Sequence, residues 1–343
     1  MDRHSGVPNH TALPGLSRAR CDLRLPRRVR VARRPRAPVD HRWPAHPGLR
    51  HRLCPGHARP LKETHSALST RHTALSRCNL RPMPVRAVLF DLGDTLWHFP
   101  RMPPSMVIRG ETMRRITNLL ARWGYQMSGE RHMLGRDIRL AVEEETERAF
   151  HGDCIDPGYP DICRRVAARH DMELSADQGE ELWETWNLGG AFLGRVLYPD
   201  VIPTLEWLRE RGHRLAAVTN RGFSGPRFHQ EVCELGLTDF FEVTVISCDI
   251  GFMKPHPRIF EYALEHLGIE PKEAVMVGDS LRADVEGAKT LGIKAVWRRP
   301  PVGEPVEATT DIPEPGPLAP DYTIDNIGDL KALPIFEGPL PAK

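Results

Sequence analysis

The 343-residue sequence predicts an α/β fold: a Rossmann-like, doubly wound parallel sheet core with an inserted all-helical cap. Short apolar runs recur along the chain, several of them ending at polar or acidic residues. Helical patterns separate these runs, and such alternation implies a parallel sheet covered on both faces. One interval, 103–195, carries helical periodicity and no convincing strand, so it reads as an insertion rather than part of the sheet.

In chain order, Val85-Arg86-Ala87-Val88-Leu89-Phe90 is the first buried strand and ends at Asp91. The inserted block reads as helices over 106–123, 133–150, 161–170 and 176–186, placed over the strand ends as a lid. Ile202, Leu205 and Leu208, with neighbouring Trp207, mark the next core helix. Leu215-Ala216-Ala217-Val218 is the second strand and runs into Thr219-Asn220; 241–247 is the third. Ile259, Phe260, Ala263, Leu264 and Leu267 share one helical face. A fourth strand over 274–277 is followed by a helix over 281–291 that Gly292 stops. Residues 294–297 form a fifth strand, the Pro-rich 298–320 a surface loop, and Tyr322-Thr323-Ile324 a sixth strand. The core is thus assigned to 83–102 and 196–343, and the cap to 103–195.

Residues 1–82 differ in kind. They hold 18 of the 47 Lys and Arg residues but only four of the 45 Asp and Glu, a net +14 that leaves −12 on the rest. Ten of the 32 prolines and eight of the 16 histidines also lie there, with no sustained apolar period. A segment that repels itself and buries little cannot offset its ordering entropy, so disorder is expected. An Arg-rich nucleic-acid arm, a transit peptide and a zinc pair at Cys54 and His57 are weaker readings. No nucleic-acid motif is present, prolines would break a transit helix, and the zinc pair lacks a second pair. The preferred reading is a non-functional basic extension, with Met83 as a natural start.

No run approaches the ~18 apolar residues of a membrane helix, which excludes a helical membrane protein. Cys154, Cys163, Cys233 and Cys248 form no CxxC pair, and no secretory signal is present, so reduced thiols and a cytoplasmic location are expected.

The chemistry gathers at strand ends. Asp91 and Asp94 follow the first strand, and Asp279 and Asp284 the fourth. If those strands are neighbours, the carboxylates converge and repel unless a cation holds them, and hard oxygen ligands suit Mg²⁺. Lys254, after the third strand, adds a fixed positive charge. Thr219, Asn220 and the N–H groups of Arg221 and Gly222 make a ready anion site before a helix. Together these are the parts of phosphoryl transfer.

Four motifs carry a family resemblance: Phe90-Asp91-Leu92-Gly93-Asp94-Thr95-Leu96, Val218-Thr219-Asn220, Lys254-Pro255, and Gly278-Asp279-Ser280-Leu281-Arg282-Ala283-Asp284. In this order, each at a strand end, they resemble the haloacid dehalogenase superfamily over roughly 85–335. The inserted cap resembles the branch containing phosphoglycolate phosphatase and β-phosphoglucomutase. The resemblance implies a Mg²⁺-dependent phosphoric monoester hydrolase acting on a small phosphorylated metabolite. It implies that Asp91 is the nucleophile and forms an aspartyl-phosphate. Asp91, the Gly93 carbonyl and Asp279 would ligate Mg²⁺; Thr219, with Asn220 alongside, and Lys254 would hold the phosphoryl group; Asp284 would orient a metal-bound water or Lys254.

One position departs from the family pattern. Family phosphatases carry a second Asp two residues after the nucleophile, as general acid and base. Gly93 stands there, and the acid is displaced to Asp94. Either Asp94 reaches in through a local turn, or the substrate has a good leaving group, such as an acyl phosphate or anomeric sugar phosphate. Asp94 reads equally as a turn former. The alternatives are a phosphomutase, a metal-free haloacid dehalogenase and a non-catalytic binding protein of the same fold. Oligomeric state is not legible. Removing residues 1–82 is expected to leave activity and melting temperature unchanged; a large loss of either in the truncated protein refutes the non-functional reading of that segment.

Overall fold

The computed structural model describes residues 85–126, 129–300 and 318–337. The basic extension 1–82 and the greater part of the Pro-rich stretch lie outside the described residues.

Strand β1 (Ala87–Phe90) leads into a two-residue strand β2 (Trp97–His98). Helices α1 (Ser105–Arg122), α2 (Leu134–His151), α3 (Tyr159–Ala168), α4 (Ala176–Trp186) and α5 (Gly190–Leu193) follow. The chain returns through β3 (Val196–Leu197), α6 (Val201–Glu210), β4 (Arg214–Thr219) and α7 (Gly225–Glu234). It continues with β5 (Val243–Ile246), α8 (Ser247–Ile250), α9 (Pro257–Leu267) and β6 (Ala274–Gly278). A π-helical turn over Leu281–Glu286 runs into α10 (Gly287–Thr290), then β7 (Lys294–Arg298) and β8 (Tyr322–Ile324).

The six longer strands form one sheet in the order β5-β4-β1-β6-β7-β8, and every pair is parallel. All six expected core strands are present. Burial on both faces explains why they read as apolar runs rather than alternating ones. Val88 and Phe90 point to the face covered by α6 and α7, where Leu205, Leu208 and Phe228 pack. Ala87 and Leu89 point to the other face, beneath Ile259, Phe260 and Ala263 of α9. Each fully buried Leu or Phe of this kind contributes about 1.5–3 kcal/mol.

Helices α1 to α4 pack around a cluster of their own that includes Ile116, Leu120, Ile138, Ile162 and Leu182. Two details depart from the sequence expectation. Strands β2 and β3 pair antiparallel as a small ribbon across both connections to the helical layer. With two residues each, they are too short to leave a periodic signal. The helix expected over 281–291 opens instead as a π-helical turn, with Val285 N–H donating to Ser280 O at 3.2 Å, five residues back.

Glu231 of α7 ties the end of the helical layer to the core. Its carboxylate accepts from the Gly190 N–H at 3.3 Å and lies 3.0 Å from Arg195 and 3.3 Å from Arg221. The Arg195 contact is one of charge, since Nη1 and Nε make no hydrogen bond there. Arg195 and Glu231 are 3% and 7% exposed at the side chain, so removing the acid strands a buried guanidinium. Glu231→Ala is expected to destabilise the protein by about 3–5 kcal/mol in urea denaturation; a cost below ~1 kcal/mol would show that the cluster is solvated.

Candidate active site

Sheet order puts β1 between β4 and β6, where the direction of winding reverses. Ligands in open α/β sheets bind beyond the carboxyl ends at such a point. Phe90 pairs with Ala217 on one side and Val277 on the other. Asp91 therefore emerges within one residue of the level of Thr219 and Asp279, a closeness that sequence alone could only assume.

Lys254 is the hub. Its ammonium donates to Asp91 Oδ1 at 2.5 Å and to Asp284 Oδ1 at 2.7 Å, and its residue is 2% exposed. Burial opposes its charge, but Asp284 and Asp91 outweigh that and raise its pKa above the ordinary lysine value. Oxygens of Asp91, Asp279 and Asp284 all lie within 4.8 Å of one another. Burial, then repulsion by Asp91 and Asp284, pushes the Asp279 carboxyl well above the usual carboxylate range. Burial likewise pushes Asp284 up to about 6, although Lys254 opposes it. Three carboxylates share one ammonium, and the excess negative charge among hard oxygen donors fits a divalent cation such as Mg²⁺.

Asp284 reaches the cluster because of two local features. The π-helical turn carries it back under β6, where Ser280 N–H donates to its Oδ2 at 3.1 Å. Gly278 leaves the room: a Cβ there would sit 2.2 Å from the Asp284 carboxyl. Asp284 is thus a buried ion-pair partner, not a charge placed for a helix dipole.

The remaining expected residues divide. Thr219 is 5% exposed at the end of β4. The Asn220 amide is spent on the Lys254 backbone, accepting from its N–H at 2.6 Å and donating to its carbonyl at 2.9 Å. That pair of bonds orients Lys254 and leaves the amide oxygen and one amide hydrogen committed. Of the expected anion cradle, the Arg221 N–H is taken by Ser247 Oγ at 3.0 Å, and α7 begins only at Gly225. The Gly93 carbonyl accepts from the Thr95 N–H at 2.5 Å. Asp94 stands apart from the carboxylate cluster: it is exposed, in a left-handed turn at φ 48°, a conformation Asp tolerates better than most residues.

Residues without an expected role also enter. Thr95, fully buried, donates Oγ1–H to Asp279 Oδ1 at 2.7 Å. Its hydroxyl within the first motif was the available signal. The helical layer touches the segments after β4, β5 and β6. Trp183 Nε1–H donates to the Gly222 carbonyl at 2.6 Å and its ring stacks between Tyr159 and Phe223 at 4.8 and 4.2 Å. Met253 N–H donates to the Cys154 carbonyl at 2.8 Å, one residue before Lys254. Arg282 donates to the Phe150 carbonyl at 2.9 Å.

The chain also resembles known proteins in sequence. A family model described as haloacid dehalogenase-like hydrolase matches residues 85–292. A glyceraldehyde 3-phosphate phosphatase of Methanopyrus kandleri is 32% identical over 246 residues, covering 72% of this chain and 95% of its own length. A protein of the same name from Pyrococcus abyssi is 42% identical over 216 residues, 62% of this chain and 81% of its own. A ribulose-1,5-bisphosphate 5-phosphatase of Halopiger xanaduensis is 29% identical over 259 residues, 72% of this chain and 98% of its own.

The raised carboxyls set a sign for stability. The cation-free folded state holds protons that the unfolded chain, with Asp near 3.8, releases. The contribution of Asp284 is complete below that value and is lost as pH rises through about 6; the burial and repulsion at Asp279 act with the same sign. With chelator present, Asp279→Asn is therefore expected to melt above the wild type at pH 9, the alkaline side of a raised carboxyl, by roughly 2–4 °C per kcal/mol of relieved repulsion. The gain should vanish at pH 4. Equal melting curves at both pH values would contradict the crowding of charge.

Proposed function

The chain belongs to the haloacid dehalogenase-like hydrolases, and from that membership we propose a Mg²⁺-dependent phosphatase of a small phosphorylated metabolite. The observation that carries the reading is the buried Asp91 carboxylate, bound by Lys254 and crowded by Asp279 and Asp284. The names of the relatives, phosphatases of glyceraldehyde 3-phosphate and ribulose-1,5-bisphosphate, support the substrate class.

Asp91 attacks phosphorus. The new Asp91 O–P bond forms as the ester P–O bond breaks and the substrate oxygen leaves. Water then attacks the aspartyl-phosphate phosphorus, the Asp91 O–P bond breaks to regenerate the carboxylate, and the water's protons pass to the departed oxygen and to the inorganic phosphate released. Lys254 stays protonated throughout and offsets charge on Asp91 and on the transferring group. Thr219 donates its hydroxyl to a phosphoryl oxygen, while Asn220 keeps Lys254 in place. Asp91, the Gly93 carbonyl and Asp279 would hold Mg²⁺, which supplies charge neutralisation at the phosphoryl oxygens. The helical layer, acting as a cap, excludes water during transfer. An exposed Asp94 in a left-handed turn favours a leaving group that departs with little protonation.

A phosphate-release screen over small phosphorylated metabolites tests the reading. Turnover is expected with Mg²⁺, and loss of at least 10³-fold with chelator or in Asp91→Asn. Asp94→Asn is expected to change turnover of the best substrate less than tenfold, against the ~10²–10⁴-fold cost of losing a general acid. Chelator-resistant release of halide from a 2-haloacid, with no phosphate release, would establish a dehalogenase instead.

A further inference from the structure

Two adjacent side chains at the carboxyl end of β7 each hold the backbone of a different acid-bearing loop. Trp297 Nε1–H donates to the Asp279 carbonyl at 2.8 Å. Arg298 donates from Nη1 to the Asp94 carbonyl. Successive side chains of a strand point to opposite faces, so one strand end serves both loops. The register suits the task, since Trp297 pairs with Gly278, the residue before Asp279.

Both side chains are committed to these positions. Trp297 and Arg298 are 6% and 2% exposed. Arg298 lies 3.9 Å over the Tyr198 ring, which stacks on His98 at 4.2 Å. Its Nε is buried and makes no hydrogen bond. A buried guanidinium is costly unless its donors are satisfied, so spending one on a loop carbonyl implies a constraint on that loop. The loop in question needs one. Asp94 is exposed at positive φ, flanked by Gly93, and Thr95 of the same turn bonds Asp279.

We propose that Trp297 and Arg298 are positioning residues that keep the Asp279 loop and the Gly93–Asp94–Thr95 turn at the separation a divalent cation requires. Neither touches substrate or cation; each acts through a carbonyl. The proposal rests on the Mg²⁺ reading above. Loss of an outer hydrogen-bond partner of metal ligands typically costs 10–100-fold in metal affinity.

Isothermal titration of the full chain with Mg²⁺, without substrate, is the test, with melting curves in chelator recorded beside it. Trp297→Phe and Arg298→Met are expected to raise the Mg²⁺ dissociation constant by roughly 10–100-fold. Arg298→Lys, which keeps a donor, should recover part of the loss. Should Arg298→Met fail to fold, Trp297→Phe and Arg298→Lys decide the matter. Unchanged Mg²⁺ affinity in folded variants, beside a wild type that binds, overturns the proposal alone, whatever happens to stability. A wild type that binds no Mg²⁺ overturns it together with the reading on which it rests.

Discussion

A single buried ammonium organises the centre of this protein. Lys254 bridges Asp91 and Asp284, from loops that follow three different strands, and Asp279 crowds the same space. At a separation of ~4 Å, unit charges interact by about 4 kcal/mol even at an effective dielectric near 20. An imbalance of that size cannot be incidental. The fold meets it with donors supplied locally: the Ser280 N–H on Asp284 and the Thr95 hydroxyl on Asp279. What remains is an excess of negative charge in a setting suited to a hard cation.

The scaffold around that centre is built from backbone carbonyls as much as from side chains. Asn220 clamps the Lys254 main chain, Trp297 the Asp279 carbonyl and Arg298 the Asp94 carbonyl. Lys254, Asp279 and Asp94 are thus each held through the backbone by a residue at the end of another strand. The helical layer adds contacts through Trp183, Cys154 and Arg282, so its own packing bears on the same loops. Glu231 closes the arrangement from the side by joining α7 to the segment that leaves this layer.

Much of this was legible before any coordinates. The six core strands stood out because a strand buried on both faces must be apolar throughout, and Asp91, Thr219 and Asp279 stood out as polar residues where such runs end. Lys254 and Asp284 were legible as members of motifs but not as an ion pair. The β2–β3 ribbon was hidden because two residues cannot show a period. The π-helical turn was hidden because one extra residue per turn barely alters the spacing of apolar positions. Asn220 reads in sequence as a phosphate contact, and its oxygen and one amide hydrogen also hold the Lys254 main chain. Competition between ligand and backbone for one amide is invisible without geometry.

Local rules therefore settle which residues stand at the ends of strands, and in what order, because polarity and periodicity act over a few neighbours. Which of those residues meet is a separate matter. It depends on β1 lying between β4 and β6, on the register that levels their ends, and on Gly278 leaving space for Asp284. The exposed turn at Asp94 and the use of Trp297 and Arg298 depend on the same long-range packing. Electrostatic energy varies with distances of a few ångströms between residues as many as 204 positions apart, and only a folded chain defines those distances.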